Sequence, residues 1–66
     1  MQIVVNGQPI TLPDGATVAE LIQARDLTRQ ACAVEVNTRL VPKKKHPEHH
    51  LTEGDTVEIV ILVGGG

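Results

Sequence analysis

The chain closes on Gly64-Gly65-Gly66, directly after the apolar pair Leu62-Val63, and the α-carboxylate of Gly66 is its best-placed candidate for chemistry. Glycine has no side chain to bury and loses more conformational freedom on ordering than any other residue, so this triplet is not a packing choice. Such an end is expected to be flexible in the free protein. Fully extended, Val63 to Gly66 reach roughly 13 Å past the strand that precedes them, enough to thread a narrow channel into a neighbour's active site. No Cβ obstructs that channel or the terminal acyl carbon. Gly66 is therefore the candidate reacting residue, with Gly64 and Gly65 as the slender approach to it; a glycine-rich linker without chemistry is the alternative.

The other chemistry-bearing residues converge less well. His46, His49 and His50 suggest zinc, but a site needs a fixed backbone and usually a further ligand, and this loop-like segment supplies neither, so no metal is assigned. Cys32 alternates in phase with Val34 and Val36 and reads as a small buried hydrophobe. As the sole cysteine it excludes an intrachain disulfide and any all-cysteine zinc or iron–sulfur site. No Ser/His/Asp grouping stands at a nucleophile elbow and no phosphate-cradling loop occurs, so the chain is not expected to be an enzyme. Lys43, Lys44 and Lys45, with Arg39, either steer an acidic partner or form a solvated turn.

Sixty-six residues allow one domain, which must be regular because a chain this short buries only about 60% of its unfolded surface. Phe, Tyr and Trp are absent, so nucleic-acid bases find no aromatic platform, and a net charge of −2 is too mild to argue for nucleic acid or membrane. No apolar run reaches membrane-spanning length and the first residues follow a strand pattern, so a cytoplasmic protein is expected.

The elements that must position the end follow from periodicity. Met1, Ile3 and Val5 alternate with polar or opposite-facing neighbours, Asn6-Gly7 supplies a hairpin turn, and Ile10 and Leu12 lie on one face of a second strand. Pro9 places that strand at an edge. Thr17 and Glu20 form a capping box ahead of Val18, Leu21 and Ile22, which predicts a helix over 18–26 with Leu27 tucked under its end. A third strand runs from Cys32 to Asn37, a short one covers Leu40-Val41, and residues 43–50 form a solvated loop or a single helical turn. Val57, Ile59, Ile61 and Val63 are expected to form the inward face of the last strand.

A tight first hairpin, and a connection from strand two to strand three long enough to cross over through the helix, make the economical fold α+β: a mixed sheet of four to five strands clasping one helix. The first and last strands then lie parallel at the centre. This is the ubiquitin-like β-grasp, with residues 1–63 as the body and 64–66 as the tail. Val4, Val60 and Leu62 are out of phase with the core and, with Ala33, define a candidate docking patch on the open sheet face. The alternatives are scattered surface residues or cover by the 43–50 loop.

Thr17-Val18-Ala19-Glu20-Leu21, Ala33-Val34-Glu35-Val36-Asn37, Val41-Pro42, Leu51-Thr52-Glu53-Gly54-Asp55-Thr56-Val57-Glu58-Ile59 and the terminal Gly65-Gly66, taken with Asn6-Gly7, resemble the ThiS family of sulfur carriers in thiamine biosynthesis. The resemblance covers the whole chain. It implies a protein that binds no cofactor itself, whose Gly66 carboxylate is adenylated with ATP by a ThiF-like E1-type enzyme. That carboxylate is then converted to a thiocarboxylate by a sulfur donor system drawing on cysteine, and the sulfur passes to thiazole synthase, ThiG. The sequence departs from the pattern in having three glycines where two suffice, and in Thr38, where relatives often have glycine, so that turn is expected to be strained or longer. A MoaD-like small subunit of molybdopterin synthase and a carrier for another sulfur pathway share the same chemistry. A β-grasp binding module without tail chemistry is the reading from a different class.

Overall fold

In the computed structural model, residues 1–63 are described, so the expected tail lies outside the described residues. The strands are β1 (Gln2–Val5), β2 (Gln8–Thr11), β3 (Cys32–Val36), β4 (Arg39–Val41) and β5 (Thr56–Ile61), with one helix, α1 (Val18–Ala24), and a 3-10 turn at Lys43–Lys45. The sheet order is β2-β1-β5-β3-β4. β1 and β5 pair in parallel at the centre and the remaining pairs are antiparallel, which is the β-grasp arrangement. β2, with its Pro9, is an edge strand as its missing donor requires.

The helix begins where its capping box dictates. The Glu20 amide donates to Thr17 Oγ1 at 3.2 Å and the Thr17 amide to Glu20 Oε1 at 2.8 Å. It ends two residues earlier than the apolar period suggests, because Asp26 takes a left-handed conformation (φ 58°). The Leu27 amide then reaches back to the Ile22 carbonyl and the Asp26 amide to that of Gln23, the paired bonds of a Schellman stop. Leu27 packs against the core beneath that end, as expected.

Val18, Leu21 and Ile22 meet Ile3, Val5, Val34, Val36, Val57 and Ile59 from the sheet, with Val41 and Leu51 closing the sides. Two expectations fail along β5. Ile61 is 41% exposed and Val63 87% exposed, so neither belongs to the core, and the strand stops at Ile61 rather than Val63. A seven-residue helix is only about 10 Å long, and it covers Val57 and Ile59 but nothing beyond. Cys32, directly opposite Ile61, is partly exposed at the rim of the core for the same reason rather than fully buried.

Both hairpins turn on an asparagine with positive φ. Asn6-Gly7 (φ 49° and 81°) and Asn37-Thr38 (φ 51° and 71°) are two-residue turns of the twist that suits flanking strands. The second is a two-residue turn and not a longer one; it is strained, because a β-branched residue is poorly tolerated in the left-handed region. Thr38→Gly is therefore expected to stabilise the fold by about 1 kcal/mol, read as a higher urea midpoint with unchanged slope.

The asparagine side chains tie these turns to β5. Asn6 accepts from the Ile59 amide (2.8 Å) and donates to the Ile59 carbonyl (3.2 Å), extending the β1–β5 ladder past the end of β1. Asn37 accepts from the Thr56 amide and donates to Asp55 Oδ1, both at 2.9 Å. Asp55 is buried and also accepts from the Thr52 amide (2.9 Å) and hydroxyl (3.0 Å). Burial pushes its carboxyl up, but the Thr52 amide, the Asn37 amide, the Thr52 hydroxyl and the positive field of His49 outweigh it, leaving the group below the ordinary 3.8.

A carboxyl lowered on folding stabilises the protein fully above its unfolded value, and that contribution disappears as pH falls through the folded value. Asp55→Asn places an amide donor against the Thr52 amide and is expected to lose about 1–3 kcal/mol at neutral pH. Urea titrations in acid check this: the difference between variant and wild type shrinks as pH drops below the ordinary value of 3.8.

Candidate functional site

Residues that pair directly across a sheet share a face, so the registers define what lies opposite the helix. Val4 stands level with Pro9 and Thr56, Ala33 with Val60, and Glu35 with both Glu58 and Leu40. Ala33 and Val60 are thus brought together as expected, Val60 being 56% exposed. Leu62 follows on the same face by alternation, 55% exposed, its amide bonded to the Ala31 carbonyl at 2.8 Å. Val4 is on this face but half-buried, and the row of Thr56 and Glu58 separates it from Val60. The patch is therefore concentrated on β3 and β5, with Val4 at its margin.

The loop over 43–50 does not cover it. Its His49 and His46 carbonyls accept the Val18 and Ala19 amides, so it closes the N-terminal turn of the helix on the other side of the sheet. The histidine rings serve the same packing: His46 Nε2 lies 3.1 Å from the Val41 carbonyl and His50 Nδ1 2.7 Å from that of Gly15. Of the two expected forms this segment takes the single helical turn, mostly exposed to solvent and tied to the body through these bonds. Lys45 pairs with Glu48 at 3.5 Å. A recess of about 680 Å³ runs beside β4 between Arg39, Lys45, His49 and the Asp55 network. Its one buried carboxylate is already fully bonded.

Leu40 and the Glu35–Glu58 pair are members of the open face that periodicity alone does not reveal. Leu40 is 64% exposed. The signal that finds it is the turn: once Asn37-Thr38 is taken as a two-residue loop, Val36 must face Arg39 and Glu35 must face Leu40.

The open face runs along β5, whose last paired residue, Ile61, is followed by Leu62 and by Val63 with almost no cover. A β-grasp body that leads its central strand outward in this way places the chain among the ubiquitin-like proteins. The ThiS family model matches residues 3–66, and the chain belongs to that family.

It is 30% identical over 66 residues to the sulfur carrier protein ThiS of Escherichia coli, covering all of both chains. It is 33% identical over 66 residues to a thiazole synthase of Paramagnetospirillum magneticum, covering all of this chain and 20% of that one. The crystal structure of a thiamine biosynthesis protein, ThiS, from Geobacter metallireducens superposes with a TM-score of 0.83 at 29% identity, covering all of both chains. No helix among the described residues is long and apolar enough to cross a membrane.

Proposed function

We propose that this chain is a sulfur carrier for thiazole formation in thiamine biosynthesis and that the carboxylate of Gly66 bears the sulfur. A carboxylate is a poor acyl donor until one oxygen becomes part of a good leaving group. Attack of that oxygen on the α-phosphorus of ATP, with loss of pyrophosphate, gives an acyl adenylate. The terminal sulfur of a donor persulfide then adds at the acyl carbon and AMP departs, and a thiol cleaves the S–S bond of the resulting acyl disulfide, leaving the thiocarboxylate and a disulfide on the donor side.

ATP and this chemistry belong to a ThiF-like E1-type adenylating enzyme, the sulfur comes from a donor system, and thiazole synthase is the acceptor. The carrier contributes position: Gly64 and Gly65 thread the partner's channel while Ala33, Val60, Leu62 and, at the margin, Val4 dock. It catalyses no step itself and acts in the cytoplasm.

The observation that carries this reading is the exit of β5. β5 stops at Ile61, Leu62 keeps one backbone bond to the Ala31 carbonyl, and Val63 is 87% exposed, so the residue that leads into the glycines is almost without cover. The likeness to a sulfur carrier protein and to a fifth of a thiazole synthase supports thiamine over molybdopterin chemistry. Coexpression with a ThiF-like enzyme and a sulfur donor tests it: the intact mass rises by the exchange of one oxygen for sulfur, localised to Gly66. A mass unchanged under every combination defeats the proposal and favours a binding module.

A further inference from the structure

Two asparagines occur in the chain, Asn6 and Asn37, and only Asn6 is followed by glycine. An asparagine carboxamide is an electrophile within reach of the next residue's amide nitrogen, and Gly7 carries no side chain to hinder that approach. A Cβ built on Gly7 would meet nothing within 4 Å, so no neighbour shields the position either, and Asn6 is exposed to water. Asn37 is followed by Thr38, whose branched Cβ stands in the way of the same attack. What restrains Asn6 is β5. Its Oδ1 accepts from the Ile59 amide at 2.8 Å and its Nδ2 donates to the Ile59 carbonyl at 3.2 Å, so the carboxamide fills the place of a further ladder residue. Past Val57 these are the bonds that β5 makes on its β1 side among the described residues. Attack at Cγ turns that carbon tetrahedral and expels Nδ2, so it cannot proceed until both bonds are given up.

We propose that Asn6 is a deamidation site gated by β5, reacting only in molecules whose β1–β5 bonds have opened locally and then barring β5 from closing as before. In the opened molecule the Gly7 amide nitrogen gives its proton to hydroxide and bonds to Cγ, the Cγ–Nδ2 bond breaks, and ammonia leaves. Water reopens the cyclic imide at either of its carbonyls, giving aspartate or isoaspartate. The net reaction consumes one water and releases one ammonia, with no change of oxidation state. Aspartate sets an oxygen where Nδ2 met the Ile59 carbonyl, acceptor against acceptor. Isoaspartate adds a methylene to the main chain inside a turn whose two-residue length fixes the β1–β2 register. Loosening of the central strand is thereby recorded covalently, and the molecule that suffered it is withdrawn from the native pool.

The full chain, incubated at mildly alkaline pH in native buffer and in guanidinium chloride, provides the test. Intact mass follows the exchange of NH2 for OH, and peptide mapping places it. The unfolded chain converts at Asn6, and the native chain does so at least about tenfold more slowly, as the loss of two hydrogen bonds requires. Gly7→Ala, compared in guanidinium so that its strain on the turn is immaterial, slows the conversion. Low guanidinium concentrations that leave the protein folded accelerate native conversion and hydrogen exchange of the Ile59 amide in parallel. Converted protein, separated by charge and returned to native buffer, unfolds at a lower denaturant concentration than the parent or fails to refold, whereas unconverted chain from the same incubation refolds. Equal rates in the native and unfolded chains overturn the gate. Conversion that begins at Asn37 overturns the site, and an unfolding midpoint unmoved by conversion overturns the consequence for β5.

Discussion

A chain shortened to end at Gly65 is expected to unfold at the same urea concentration as the full chain and to acquire sulfur at least about a hundredfold more slowly. The first half follows from where the core stops: Ile59 is the last buried residue of β5, and Val63 is already 87% exposed. Deleting a residue three positions beyond Val63 removes no described contact. The second half follows from reach. Shortening an extended segment by one residue withdraws the carboxylate by about 3.5 Å, and misplacement of a reacting group by about 1 Å is enough to lose two orders of magnitude. The shortened chain still ends in two glycines, so the experiment separates the length of the arm from its slenderness. Quantitative intact-mass time courses with the adenylating enzyme provide the measurement, and equal rates for the two chains would show that position of the acyl carbon is not what the glycines supply.

Leu21→Ala is expected to abolish the folded state at ordinary temperature or to leave it barely populated. Leu21 is fully buried where the helix meets the sheet, and truncation there loses about 2–5 kcal/mol through transfer and cavity terms together. A domain of this size holds roughly 3–10 kcal/mol in total. Its lone free cysteine forms no crosslink, and no aromatic side chain stands ready to fill the void. Far-UV circular dichroism across a urea series reads the outcome. The same substitution at Val60 removes no buried contact and is silent in this assay, because that side chain faces solvent.

The two predictions mark different depths of legibility in the sequence. The helix start was readable because a capping box is a local device: Thr17 and Glu20 are three residues apart and satisfy each other's backbone without help from the rest of the chain. The first hairpin was readable for the same reason, since Asn6-Gly7 demands positive φ at both positions. The inward assignment of Ile61 and Val63 failed because alternation says which face a residue takes and nothing about how far the covering helix extends. The length of α1 depends on Asp26 adopting a left-handed cap, a choice that the apolar period does not encode.

Hydrogen bonds between polar side chains distant in sequence are not legible in it. The anchoring of Asn6 to Ile59 and of Asn37 to Asp55 links polar side chains that periodicity treats as turn formers. The facing of Glu35 and Glu58 needed a register, and a register is a property of two strands rather than one. Of the candidate site, the docking residues Ala33, Val60 and Leu62 were found by phase, whereas Leu40 required the turn geometry.

The position of β5 has a consequence for how the molecule is made. This strand is the last in the chain and the middle one in the sheet, bonded to β1 across some fifty residues of sequence and to β3 on its other side. A nascent polypeptide still missing it has two separate hairpins and a helix with no common floor, so the interior cannot close until translation has passed Ile61. Under the proposed function, partner enzymes would therefore meet the C-terminal residues only on a finished molecule, and a chain released prematurely from the ribosome would present neither a body to grip nor an end to modify.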